Sequence, residues 1–135
     1  MKLQVSYSEL ESIIREKTGQ SVNIGYVNPQ TIVISKDIKV LIVQKTVRVN
    51  VDVVEIVGTD LVLKYSAGLG LEMATKGILV FFKEALAGLI EETDQNTLTV
   101  HLDRIEKLEK ALGFVDLQAI SFDENTVIIS FKMKE

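Results

Sequence analysis

Val47-Arg48-Val49-Asn50-Val51-Asp52-Val53-Val54-Glu55-Ile56-Val57 is the stretch on which the fold of this chain turns. Apolar and polar residues alternate with a period of two, as in a strand with one buried and one wet face. Val47, Val49, Val51 and Val53 point one way, and Arg48, Asn50 and Asp52 the other. At Val53-Val54 the phase slips, so that Val54 and Ile56 flank Glu55. One extra residue in a ladder makes a β-bulge, so a bulge or sharp bend is predicted there. Residues 39–57 therefore read as one long strand or two joined strands. Gly58-Thr59-Asp60 reads as the turn into the next alternating strand, with Leu61, Leu63 and Tyr65.

Toward the N terminus, Leu3-Gln4-Val5 reads as a short strand, and a helix follows from Ser6 or Ser8. Ser6 with Glu9, or Ser8 with Glu11, matches a capping box, in which hydroxyl and carboxylate satisfy free backbone N–H groups. Leu10, Ile13 and Ile14 form the apolar stripe, and Gly19 supplies a C-terminal stop. Val22, Ile24 and Tyr26 alternate as a strand, Asn28-Pro29-Gln30 is a turn, and residues 31–35 (Thr-Ile-Val-Ile-Ser) form a second strand.

Toward the C terminus, Ser66-Ala67-Gly68-Leu69-Gly70 breaks the strand and leads into a long helix over about residues 70–92. Its polar stripe, Glu72, Lys76 and Lys83, is narrow, and most of the remainder is apolar, so it should be buried on most sides. Asp94-Gln95-Asn96 is a turn before the alternating strand of Leu98, Val100 and Leu102. Asp103 then caps a short helix with Glu106, Ile105, Leu108 and Leu112 form its buried stripe, and Gly113 ends it. Strands over about 115–122 and 126–133, joined at Asp123-Glu124-Asn125, close the chain, with Val127, Ile129, Phe131 and Met133 facing inward.

A shift of 95 positions aligns the two ends without a gap. Leu3 falls on Leu98, Val5 on Val100, Glu11 on Glu106, and residues 31–35 on Thr126-Val127-Ile128-Ile129-Ser130. The expected fold is thus a single α+β domain over 1–135, with one long and two short helices on a mostly antiparallel, strongly bent sheet. Two βαββ modules, about 3–35 and 98–130, flank a central hairpin and the long helix, and a pseudo-twofold axis is expected between them.

Composition bounds the chemistry. The chain has 135 residues, 47% hydrophobic and 25% charged, which is globular and large enough for a core of its own. It contains no cysteine, which excludes disulfides, a thiol nucleophile and cysteine metal sites. No apolar run follows Lys2, so the chain reads as cytoplasmic, and no segment is apolar for the ~20 residues a transmembrane helix needs. The net charge is −4, and the most basic spot is Lys36, Lys39, Lys45 and Arg48 with Asp37 among them. That stripe is weaker than nucleic-acid binders carry, so it reads as a solvated strand face and no nucleic-acid partner is expected.

Few residues carry chemistry. His101 is the single histidine, on the polar face of its strand beside Asp103, and reads as solvated; no second histidine supports zinc, and no metal site or cofactor is expected. Glu91, Glu92 and Asp94 read as a solvated helix end, without calcium-loop spacing. Gly68-Leu69-Gly70 opens a helix as phosphate loops do, but Met73 stands where a dinucleotide fingerprint needs Gly or Ala. No catalytic residue is assigned.

The strings YSELESIIREKTGQ (7–20), GTDLVLKYSAGLGLEMATKG (58–77) and LDRIEKLEKALGFVDLQAISFDENTVIISF (102–131) resemble a family of small bacterial α+β proteins, which brings no activity with it. In element order the chain is also similar to tubular lipid-binding domains, which wrap a curved antiparallel sheet around long helices. That likeness implies a lipid chain beside Ile78, Phe81, Phe82 and Leu86. The first expectation for function is a non-enzymatic binding domain holding an apolar small molecule between long helix and sheet, at Met73, Ile78, Phe81, Phe82 and Leu86. The second is a protein-interaction or homo-oligomerising domain, in which another subunit covers the same apolar surplus.

Overall fold

A computed structural model describes residues 1–67, 88–94 and 96–134. Strands β1 (Lys2–Ser6), β2 (Asn23–Asn28), β3 (Thr31–Val40), β4 (Val43–Val57), β5 (Asp60–Ala67), β6 (Ile90–Asp94), β7 (Thr97–His101), β8 (Val115–Phe122) and β9 (Thr126–Met133) form two antiparallel sheets. Their orders are β1-β9-β8 and β2-β3-β4-β5-β7-β6. Helices α1 (Tyr7–Thr18) and α2 (Glu106–Leu112) accompany them, with a 3-10 turn at Leu102–Arg104.

This corrects the expected α+β fold: the described residues are mostly β, and one bent sheet is replaced by two. Topology supplies the reason. α1 carries the chain from β1 in the small sheet to β2 in the large one, and the 3-10 turn with α2 carries it back from β7 to β8. The two ends share the order strand, helix, strand, strand, yet pair differently: β1 lies on β9, whereas β7 lies on β5, because the β4–β5 hairpin stands between β7 and β3. They are therefore not the equivalent modules expected.

The long helix is corrected at its end. Gly88 and Leu89 form a turn, with Gly88 at φ +88, and Ile90–Asp94 pair with β7 as a strand. The rest of that prediction, residues 68–87, lies outside the described residues.

Local signals elsewhere act as chemistry dictates. Ser6 caps α1: its hydroxyl accepts from the Glu9 amide at 3.1 Å while the Glu9 carboxylate accepts from the Ser6 amide. Gly19 ends α1 at φ +72, in the left-handed region that favours glycine. The predicted bulge is present, as a register shift between Val53 and Glu55 opposite β5. α2 departs from expectation: it begins after Ile105 without a side-chain cap, because Asp103 sits inside the 3-10 turn.

Register gives the large sheet two unlike faces. Directly paired residues share a face, so Ile32 and Val51 lie together, as do Ile34 with Val49, Val53 with Leu63, and Leu61 with Val100. This apolar face packs against the small sheet: Tyr7, Ile32, Val47, Val49, Val51, Phe122 and Val127 make one core cluster, and Leu61, Leu102 and Leu112 a second. The Asn28–Gln30 turn stitches the sheets, since the Pro29 carbonyl accepts from the Phe122 amide and the Gln30 carbonyl from the Val53 amide, both at 2.9 Å. Met133 is 62% exposed, against its expected inward position, at the C-terminal end of β9. The opposite face is polar: Thr31 beside Asp52, Asp52 beside Lys64, Lys64 beside Thr97, and Asp60 beside His101.

Candidate functional site

Two features of the large sheet stand out, at opposite ends of β4. The first is the β3–β4 hairpin. β2 pairs with β3 only at Thr31–Ser35, and β5 pairs with β4 only at Val49–Val57. Between them Lys36–Val40 and Val43–Val47 pair with each other, from Lys36↔Val47 to Val40↔Val43. Among the described residues no third strand joins this arm. Its base is anchored by Val47, 1% exposed in the core, and by the Lys36 ammonium, which donates to Gln20 Oε1. Beyond Val47 the ribbon extends by roughly 15 Å at the usual rise per residue. The Thr46 hydroxyl donates to Asp37 Oδ1 at 2.7 Å across the two strands.

The tip is the two-residue connection Leu41-Ile42, with Leu41 at φ +60. Two-residue hairpin turns need a positive φ at the first position and so favour Gly, Asn or Asp there. Leucine at this position costs about 1 kcal/mol of backbone strain. Leu41 and Ile42 are moreover 90% and 93% exposed, with Val43 half exposed beside them. Turn chemistry is thus violated at Leu41, and solvation at Leu41 and Ile42 together. Lys36, Lys39, Lys45 and Arg48 against Asp37 give residues 36–48 a net charge of +3, which leaves −7 for the remainder of the chain.

The second feature lies roughly 45 Å away along the 15-residue strand β4, by its rise per residue. Asp60 opens β5 directly opposite His101, the last residue of β7. His101 Nδ1 lies 2.8 Å from Asp60 Oδ1, and Nε2 lies 3.5 Å from Glu91 Oε1. The His101 side chain is only 13% exposed, which corrects its reading as a solvated residue: β5 and β6 flank it with carboxylates. The Nδ1 contact is a hydrogen bond, and the Nε2 contact is a longer approach to the Glu91 carboxylate. Asp103 joins them, so that one donor atom each of Asp60, His101 and Asp103 lies within 4.8 Å of the others. One imidazole nitrogen with two carboxylate oxygens is a donor set that divalent ions accept. The Asp60–His101 hydrogen bond already satisfies one ring nitrogen, and Asp103 is exposed beside the pair. Sequence reading missed it because Asp60 and His101 are 41 residues apart and meet only through strand register.

Between these ends, Asp52, Lys64, Tyr65, Ser66 and Asn96 line an open cavity of about 460 Å³ with a mainly polar wall. The Tyr65 hydroxyl donates to Glu92 Oε2 at 3.3 Å, and burial with the nearby Glu92 charge pushes the phenol above its usual range. Glu91 and Glu92 therefore belong to strand β6, with partners in the sheet, and not to a solvated helix end. The ligand residues expected from sequence, Met73, Ile78, Phe81, Phe82 and Leu86, lie outside the described residues, as does the Gly68-Leu69-Gly70 joint. Among the described residues no helix is long and apolar enough to cross a membrane. Compared with known family models, curated proteins and solved structures, the chain matches none.

Proposed function

We propose that this chain is a non-enzymatic binding domain and that the β3–β4 arm is its contact element. The observation that carries the reading is the tip: Leu41 in a left-handed conformation and Ile42 beside it, both at least 90% exposed. A turn selected for folding alone would carry Gly or Asn there. Residues that break a local rule without a gain in the fold mark a function elsewhere. This is the interaction reading of the chain. The alternative of an enclosed apolar ligand rests on Met73, Ile78, Phe81, Phe82 and Leu86, outside the described residues, while the cavity at Asp52 and Lys64 is polar.

A photo-crosslinking amino acid in place of Ile42, in the full chain in living cells, tests the contact role without presupposing the partner. The same residue in place of exposed Glu124 is the control. Adducts at position 42, to lipid, protein or a second copy, well above those at 124, are the expected result. Equal yields at both positions would remove the arm from the functional account.

A further inference from the structure

Building on the arm as contact element, we propose that its occupant is the surface of an anionic lipid bilayer. In this assignment Leu41, Ile42 and Val43 enter the headgroup layer and the net positive charge of residues 36–48 is drawn to the lipid charge. Three observations converge. The tip is apolar and exposed, at 90%, 93% and 52% for the three residues. The stem behind it carries a net charge of +3 while the rest of the chain carries −7. The acidic cluster of Asp60, Glu91 and Asp103 sits at the far end of β4 from the tip.

An anionic surface attracts the stem and repels the body, so the molecule approaches tip first. Apolar insertion and a polybasic patch are the two signals that together hold a protein on a membrane when neither suffices alone. Other occupants fit less well. A stable protein interface covers about 800 Å² on each partner, more than three exposed side chains on a two-stranded ribbon present. Arm-to-arm contact between two copies sets +3 against +3. Single-stranded nucleic acids are gripped by aromatic stacking as well as by charge, and residues 36–48 contain no Phe, Tyr or Trp. A lipid surface needs no shape complementarity and accepts a narrow apolar tip.

The test is co-sedimentation of the full chain with vesicles of phosphatidylcholine alone, and of phosphatidylcholine mixed with phosphatidylglycerol. Binding to the mixed vesicles alone, weakening as salt is added, is expected. Lys45→Glu/Arg48→Glu and Leu41→Gly/Ile42→Asn should each weaken the partition coefficient at least about tenfold, with melting temperatures confirming that both variants fold. No sedimentation with the mixed vesicles, or sedimentation that neither variant weakens, overturns the assignment. Light scattering and a duplex oligonucleotide separate the alternatives. If the chain shows no lipid binding but forms an oligomer that the tip variant dissolves, or binds the duplex through the stem, the lipid assignment falls and the arm remains the contact element.

Discussion

Exchanging the tip for ordinary turn residues, Leu41→Gly with Ile42→Asn, should leave the fold's stability almost unchanged. Full burial of a Leu or Ile side chain contributes about 1.5–3 kcal/mol. At 90% and 93% exposure, each of these contributes only about a tenth of that, so the two deletions together cost about 0.5 kcal/mol. Relief of the left-handed leucine at φ +60 returns about 1 kcal/mol. The extra freedom of glycine in the unfolded chain takes back about 0.5–1 kcal/mol. The sum lies within about 0.5 kcal/mol of zero, a melting-temperature shift of less than about 3 °C for a domain of this size. The same two deletions from a packed core would cost about 4–10 kcal/mol. Thermal unfolding followed by circular dichroism makes the comparison, alongside the membrane-binding assay. A fall of more than about 10 °C would show that Leu41 and Ile42 are packed against something, and would refute the reading of an exposed tip.

The remaining predictions concern the scaffold. Val47→Ala, at a site 1% exposed in the core that anchors the arm, should cost about 2 kcal/mol in denaturant unfolding. Ser6→Ala removes the hydroxyl that accepts from the Glu9 amide and leaves the backbone half of the capping box in place, and should cost about 1 kcal/mol. Tyr7→Phe deletes the hydroxyl that donates to the Asp123 carbonyl and should cost about 1 kcal/mol. Asp123 gives a pH signature. The backbone amide of Asn125, then the hydroxyl and amide of Thr126, hold its carboxyl below the usual carboxylate range. A depressed folded-state pKa stabilises above the unfolded value of about 3.9 and is lost as pH falls through the folded one. The melting-temperature advantage over Asp123→Asn should therefore hold from neutral pH to about pH 4 and shrink below it. An advantage that grows on acidification would contradict this.

What the sequence shows is what short-range chemistry writes. The Val47–Val57 alternation, its slip at Val53, the Ser6–Glu9 box, Gly19 and the Asp123–Asn125 turn all sit within a few residues of the structure they specify. The β3–β4 turn is illegible for the opposite reason. Leu41-Ile42 carries no Gly, Asn or Pro, so the run from Lys39 to Val57 reads as one long strand or two joined strands with no turn at 41–42. The misread turn and the proposed contact tip are the same residues, and a local rule broken at one place is where such a role is to be sought. β6 was hidden because Glu91-Glu92-Thr93 has no apolar alternation and adjoins a helix-like apolar run. The division into two sheets depends on β1 finding β9, with partners from Ser6↔Thr126 to Lys2↔Ser130 at opposite ends of the chain, and no local pattern encodes that choice. The same holds for the pairing that brings Asp60 to His101.

The central claim is that the tip of the arm leaves water for a lipid headgroup layer. The chain has no cysteine, so Ile42→Cys places one environment-sensitive fluorophore at the tip, and Glu124→Cys places one on the exposed β8–β9 turn. With vesicles containing phosphatidylglycerol, the label at 42 should shift to the blue and be quenched by a lipid-borne quencher, while the label at 124 stays unchanged. A label at 42 that keeps its aqueous spectrum and escapes the lipid-borne quencher, on vesicles at saturating concentration, would contradict the account.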